Sequence, residues 1–250
     1  MKALITGASS GIGRDMARYL SGLGYDLIIV ARRENLLEEL KNELTKTQVI
    51  VEKADVSNPD VCRTLFEKHP DIDLLVNNAG FGKFGEFDKT ELNDELNMID
   101  TNIVGLHTLT KLYLQRMKEK NRGHILNVAS SAGLMPGGPL MATYYATKSY
   151  VISLTRGIAE ELKVAGSNVK ISALCTGPVD TNFNNVANVR FAMKGLSSEY
   201  VAKYGIDQAL KGKQIIVPAW YMKIACFGAK ILPAKLMMKM VYQRQSSKTN

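Results

Sequence analysis

A doubly wound α/β fold, one parallel sheet of seven strands with helices on both faces, is the architecture this sequence predicts. Three observations carry it. Short apolar runs of strand length alternate with stretches of helical period in one continuous series. The runs are too uniformly apolar for an in-out alternation, as strands covered on both faces must be. A cluster of glycines follows the first run and leads directly into a helical stretch. With 250 residues, 46% of them hydrophobic, the chain can bury one large core, so a single domain over 1–250 is expected.

Taken in order, the strands are expected at Lys2–Thr6, Asp26–Ala31, Gln48–Lys53, Ile72–Val76, His124–Ala129, Val169–Cys175 and Gln214–Val217. Helical spacing fills the intervals at Gly13–Gly24, Glu34–Leu44, Pro59–Lys68, Leu92–Lys118 and Ala142–Val164, with Pro59 suited to a first turn. The stretch of about 182–204 breaks the alternation with polar residues, Phe191, Met193 and Gly195. It follows the sixth strand, where a lid over a ligand crevice is expected.

Charge and cysteine usage narrow the function classes. The net charge of +8 lies at one end: from Lys211 onward there are eight basic residues and no acidic one. Residues 1–210 are formally neutral, and no ladder of cations with interleaved aromatics occurs, so nucleic-acid binding is not expected. Cys62, Cys175 and Cys226 are widely spaced and form no C-x-x-C pair, which speaks against a disulfide framework or a zinc site. His69, His107 and His124 lack ligand spacing, so no metal is expected. The opening MKALITGASSGIG reaches glycines too early for a secretory core, and no apolar run approaches the ~18 residues of a membrane span. A soluble cytoplasmic protein is the expectation.

The glycines stand in Thr6-Gly7-Ala8-Ser9-Ser10-Gly11-Ile12-Gly13, between a strand and a helix. Small residues let backbone approach a pyrophosphate, and the helix N-terminus offers free N–H groups to it, which points to a dinucleotide. Roughly twenty residues on, where an NAD site commonly offers a carboxylate, the second strand ends in Arg32 and Arg33. Guanidinium forks suit a 2′-phosphate, so NADP(H) is preferred and NAD(H) is the alternative. Tyr144 and Lys148, four apart on a helix, share one face, and an ammonium beside a phenol favours the phenolate.

With Asn77-Asn78-Ala79-Gly80 after the fourth strand, Asn102 on a long helix and Ser130-Ser131 after the fifth, the chain resembles the short-chain dehydrogenase/reductase family over residues 1–217 or so. The resemblance implies a Rossmann-like NADP-binding domain that interconverts a ketone and a secondary alcohol. In that reading Tyr144 is the proton donor, and Lys148 lowers its pKa and holds the nicotinamide ribose. Ser130 binds the carbonyl oxygen, with Ser131 in reserve, and Asn102 anchors a water that links the lysine to solvent. The cofactor would be held by Gly7, Ser9, Ser10, Gly11, Ile12 and Gly13, by Arg32 and Arg33, and by Asn78, Ala79 and Gly80. Asp55 and Val56 would contact adenine. Gly177, Val179 and Thr181 would lie by the nicotinamide, with Thr176 where the family commonly has proline.

The tail over about 219–245 is amphipathic and wholly basic, and three readings compete for it. It closes the substrate pocket, packs on another subunit, or makes peripheral contact with an anionic membrane. Gly228 and Pro233 argue against one unbroken helix. Apolar lid and tail residues point to a hydrophobic steroid, bile-acid or lipid-like carbonyl. The alternatives are a 3-oxoacyl reductase and a non-catalytic dinucleotide-binding sensor or scaffold. A homo-oligomer, dimer or tetramer, is expected through the helices around Asn102 and Lys148.

Overall fold

The computed structural model describes residues 1–180 and 195–246. Strands β1 (Lys2–Thr6), β2 (Asp26–Ala31), β3 (Val49–Lys53), β4 (Leu74–Asn77), β5 (His124–Val128) and β6 (Lys170–Leu174) occupy the predicted places. A short pair follows, β7 (Val179–Asp180) with β8 (Leu196–Ser197), and then β9 (Ile215–Ile216). The main sheet has seven strands, all parallel, in the order β3-β2-β1-β4-β5-β6-β9. After β3 the chain returns to lay β4 on the other side of β1, and that reversal opens a crevice beyond their carboxyl ends.

The helices are α1 (Gly11–Gly22), α2 (Glu34–Glu43), α3 (Pro59–Lys68), α4 (Leu92–Ile99), α5 (Leu106–Lys120), α6 (Ala142–Val164), α7 (Ser198–Leu210), α8 (Trp220–Ile231) and α9 (Ala234–Ser246). Successive strand residues face opposite layers. Ala3, Ile5, Leu27 and Ile29 pack under Met16 and Leu20 of α1 and Val201 and Ile206 of α7. Leu4, Ile28, Leu75 and Ile125 meet Leu65 of α3, Leu109 and Tyr113 of α5 and Leu162 of α6. Each such aliphatic side chain contributes about 1.5–3 kcal/mol through burial. The buried Tyr113 still satisfies its hydroxyl, which donates to the His69 carbonyl at 2.9 Å.

Three differences from the expected elements bear on the site. The single helix expected over Leu92–Lys118 is interrupted by a π-helical turn at Asp100–Gly105. The loop after β3 presses on this turn, for a Cβ on Gly105 would stand 1.9 Å from the Val56 carbonyl oxygen. Of the expected lid, 182–194 lie outside the described residues, and the remainder is mostly the start of α7, which packs into the core. Ser197 caps α7 by accepting from Tyr200 N at 3.2 Å, and Tyr19 of α1 donates to its Asp207 at 2.6 Å. The tail forms two helices, as its residues predict, but α8 runs through Gly228 and the break comes at Leu232-Pro233. Among the described residues no helix is long and apolar enough to cross a membrane.

Candidate active site

The carboxyl ends of β1 and β4 are locked together by side chains. The Thr6 hydroxyl accepts the backbone N–H groups of Asn78 and Ala79, both at 3.0 Å. In return the Asn78 amide donates to the carbonyls of Thr6 at 3.0 Å and Gly7 at 3.2 Å. Gly7 takes φ +67 and Gly11 φ +55, conformations that side chains disfavour. Gly13 does not line the cleft. A Cβ there would lie 2.3 Å from Asn78 Nδ2 and 2.6 Å from the Gly7 oxygen, so its smallness lets the lock close behind the loop. Gly13→Ala is therefore expected to cost about 1–3 kcal/mol by overpacking. A thermal melt should show this as a fall in Tm of roughly 2–12 °C.

At the far end of this loop the two arginines part company. Arg33 turns back and donates to the hydroxyls of Ser9 at 2.9 Å and Ser10 at 2.8 Å. Arg32 stays exposed, 3.7 Å from Asp55, a pairing that contributes little in solvent. The sequence gives Arg32 the leading part; geometry favours Arg33. Asp55 also accepts from the Ser57 backbone and hydroxyl, which fixes the turn beside Val56.

Tyr144 and Lys148 come from the first turns of α6, and Ser130 from the end of β5. The Ser130 hydroxyl is hydrogen-bonded to that of Tyr144, and it lies 3.4 Å from the Thr176 carbonyl. Ser131 instead opens a short 3₁₀ turn, its N–H donating to the same carbonyl at 2.7 Å. Lys148 is buried, donates to the Val128 carbonyl at 3.0 Å and sits 5.9 Å from the Tyr144 ring centre. Burial pushes this ammonium down to about 8. The expectation that the lysine makes Tyr144 more acidic is corrected here. Burial outweighs the Ser130 hydrogen bond and pushes the phenol up to about 12.

Asn102, in the π-helical turn, is fully buried and stands behind the cleft wall. Its amide oxygen accepts Phe81 N at 3.0 Å, and its nitrogen donates to the Phe81 carbonyl at 2.9 Å and the Thr147 hydroxyl at 3.1 Å. It thus ties the loop after β4 to α6. Gly80 fits between it and the lysine, since a Cβ would meet Asn102 Oδ1 at 2.8 Å and Lys148 Nζ at 3.4 Å.

The glycine loop up to Ile12, the two arginines, Asp55 and the Ser130, Tyr144 and Lys148 group face one cleft of about 760 Å³, with Gly13 and Asn102 behind its wall. One end holds Arg32, Arg33 and Asp55, the middle Ile12, Ala79, Gly80, Gly177 and Val179 with the Ser130, Tyr144 and Lys148 group. Thr181 lies outside the described residues. The other end is walled by methionines, among them Met135, Met141 and Met222, and by α9 through Met237, Met240 and Gln245. Gln245 is buried and donates to the Tyr145 hydroxyl at 2.9 Å, which pins the tail beside Tyr144. Sequence reasoning missed this bond and Thr147, and named Thr6 only as the head of the glycine motif, without its role in the lock.

Residues 1–190 match the family described as short chain dehydrogenase. The NADP-dependent 3-hydroxy acid dehydrogenase YdfG of Salmonella typhi is 35% identical over 230 residues, covering 89% of this chain and 88% of that protein. Among solved structures, a short-chain dehydrogenase from Sphingobium yanoikuyae in complex with NADPH is similar with a TM-score of 0.83 at 26% identity, over 92% of this chain and 93% of that one. A short chain dehydrogenase/reductase from Burkholderia phymatum in complex with NAD gives 0.82 at 27%, over 90% and 91%.

Proposed function

Because this chain belongs to the short-chain dehydrogenase/reductase family and is an NAD(P)-dependent oxidoreductase acting on CH–OH groups, we propose that it is an NADP(H)-preferring reductase of hydrophobic ketones. The observation that carries the reading is the convergence of Ser130, Tyr144 and Lys148 in a cleft whose far end holds Arg33 with Ser9 and Ser10. The glycine loop fits a dinucleotide: its backbone at Gly7 and Gly11 is in the left-handed region, and it leads into the N-terminus of α1. Arg33, Ser9 and Ser10 would hold a 2′-phosphate, and Lys148 the nicotinamide ribose. When bound, the nicotinamide supplies hydride to the carbonyl carbon.

The chain's own residues handle the oxygen. The Ser130 hydroxyl binds the carbonyl oxygen and supports the charge that develops on it. Tyr144, a phenol that is protonated at pH 7 and that burial pushes further up, to about 12, gives its proton to that oxygen. The transfer runs downhill although the phenol is weakly acidic, because an alkoxide is a far stronger base than a phenolate. The Lys148 ammonium then steadies the phenolate. Asn102 anchors the turn of α6 that carries Tyr144 and Lys148, through Thr147, whose hydroxyl donates to the Tyr144 carbonyl at 2.8 Å.

The methionine-lined end supports an apolar substrate, since unbranched thioethers adapt to varied shapes. A second reading, a 3-oxo or 3-hydroxy acid, draws on the Salmonella typhi relative and on Arg244 of α9, which lines the cleft. A homo-oligomer formed through α4 to α6 belongs to the same proposal, supported by the exposed Leu92 and Leu96 of α4. The test is NADPH and NADH consumption across steroid, aliphatic and aromatic ketones and 3-oxo acids. NADPH-preferring turnover of the apolar ketones is expected. Turnover confined to the acids would select the second reading, and tight NADPH binding with no turnover on any substrate would point to a sensor.

A further inference from the structure

Helix α8 carries Trp220, Ile224, Phe227 and Ile231 at i, i+4, i+7 and i+11, a single stripe on an α-helix. All four point outward, with 71, 63, 65 and 67% of their surface exposed. The other side of the helix is the one that packs, through buried Cys226 and through Met222 on the cleft wall. Across the break at Leu232-Pro233 the exposed apolar series continues with Leu232, Leu236 and Met240. Exposed Lys223, Lys235 and Lys239 are interspersed with it. A soluble protein seldom leaves an apolar patch of this kind uncovered unless something binds there.

We propose that α8 and α9 form a docking face for an anionic lipid surface, with the apolar stripe entering the headgroup boundary and the lysines meeting lipid phosphates. Charge selects this occupant over a second copy of the chain. No acidic residue follows Asp207, so a two-fold contact through this face would set cations against cations with no carboxylate from either tail. A leaflet of anionic lipid supplies the missing sign. The helices lie on such a surface and do not cross it, because none among the described residues has the length and hydropathy to span. Met240 is half-exposed on this face and also lines the cleft, so the docked face borders the methionine-walled end of the pocket. Docking does not depend on the proposed chemistry.

The experiment uses the full chain with vesicles of phosphatidylcholine alone or mixed with phosphatidylglycerol. Trp220 is the sole tryptophan and sits in the stripe, so its emission reports insertion. Expected are co-sedimentation and a blue shift with the anionic vesicles only, both lost at high salt. Lys223→Gln/Lys235→Gln/Lys239→Gln should weaken binding on the order of 100-fold, about fivefold per cation. Phe227→Ser/Ile231→Ser should abolish the blue shift, while both variants keep the wild-type Tm and NADPH binding. Absence of lipid-dependent sedimentation or shift in the wild type overturns the proposal, as does equal binding by the variants. Lipid-free self-association that Phe227→Ser/Ile231→Ser disperses would assign the face to a second copy.

Discussion

Tyr144→Phe is expected to lower kcat by about 10²–10⁴-fold with little change in KM, NADPH affinity or Tm. The substitution removes one hydroxyl and keeps the ring, so packing against Tyr145 and Met141 is retained. What it takes away is the proton itself and the partner of Ser130. Tyr145→Phe is the control, because the neighbouring hydroxyl bonds to Gln245 at 2.9 Å and not to the reactive group. That variant should keep kcat and raise KM, by loosening α9 on the cleft. Equal losses of kcat in the two variants would remove Tyr144 from its assigned role. The pH profile adds a separate check. In the proposed mechanism reduction draws on the Lys148 ammonium, so the wild-type rate should fall as pH rises through about 8, with no further step from a phenol near 12. Stability moves the other way. Burial depresses Lys148 below its ordinary 10.5, so between about 8 and 10.5 the unfolded chain binds the extra proton, and this group's contribution to stability rises with pH across that window. Loss of rate above pH 8 accompanied by an unchanged or rising contribution from this group separates lost chemistry from unfolding.

What could be read from sequence follows the range of the interactions involved. The strands around Leu4, Ile28 and Leu75 are buried on both faces, and uniform apolar runs record that locally. Tyr144 and Lys148 share a helix face through simple spacing, and the glycines sit at a strand-to-helix turn that only they can make. By contrast, the π-helical turn that holds Asn102 changes the helix by one residue's width and leaves no periodic mark between Leu92 and Lys120. The α7 pattern, Val201, Ala202, Ile206 and Ala209, was present in the sequence but masked by the polar stretch before it. Gln245 and Tyr145 meet across most of the chain's second half, so nothing near either residue announces the bond. The sense of the Tyr144 shift was misread for the same reason. A four-residue spacing shows the neighbouring cation but not the burial that outweighs it.

Arg33→Ala should raise the Kd for NADPH by roughly 10- to 100-fold and leave that for NADH nearly unchanged. Charge-assisted hydrogen bonds contribute about 1.5–3 kcal/mol, and only the 2′-phosphate would receive them. The contrast with Arg32 makes the prediction specific. Arg33 already reaches two hydroxyls of the glycine loop, so guanidinium, Ser9 and Ser10 converge on one spot with little left to reorganise. Arg32 is mostly exposed and spends its charge on Asp55 at 3.7 Å. Arg32→Ala should therefore shift NADPH affinity only a few-fold, with a steep salt dependence of the kind expected for screened charges. Arg33→Asp should go further, repelling the phosphate and offering a carboxylate to ribose hydroxyls, so that NADH becomes the better reductant. Titration of each variant with both cofactors, followed by nicotinamide fluorescence, gives the two ratios directly. If Arg32→Ala moves the ratio and Arg33→Ala does not, the Arg33–serine cluster serves the loop alone and the outer arginine turns inward on binding. If neither moves it, the basic end of the cleft does not read the phosphate, and the preference for NADP(H) falls with it.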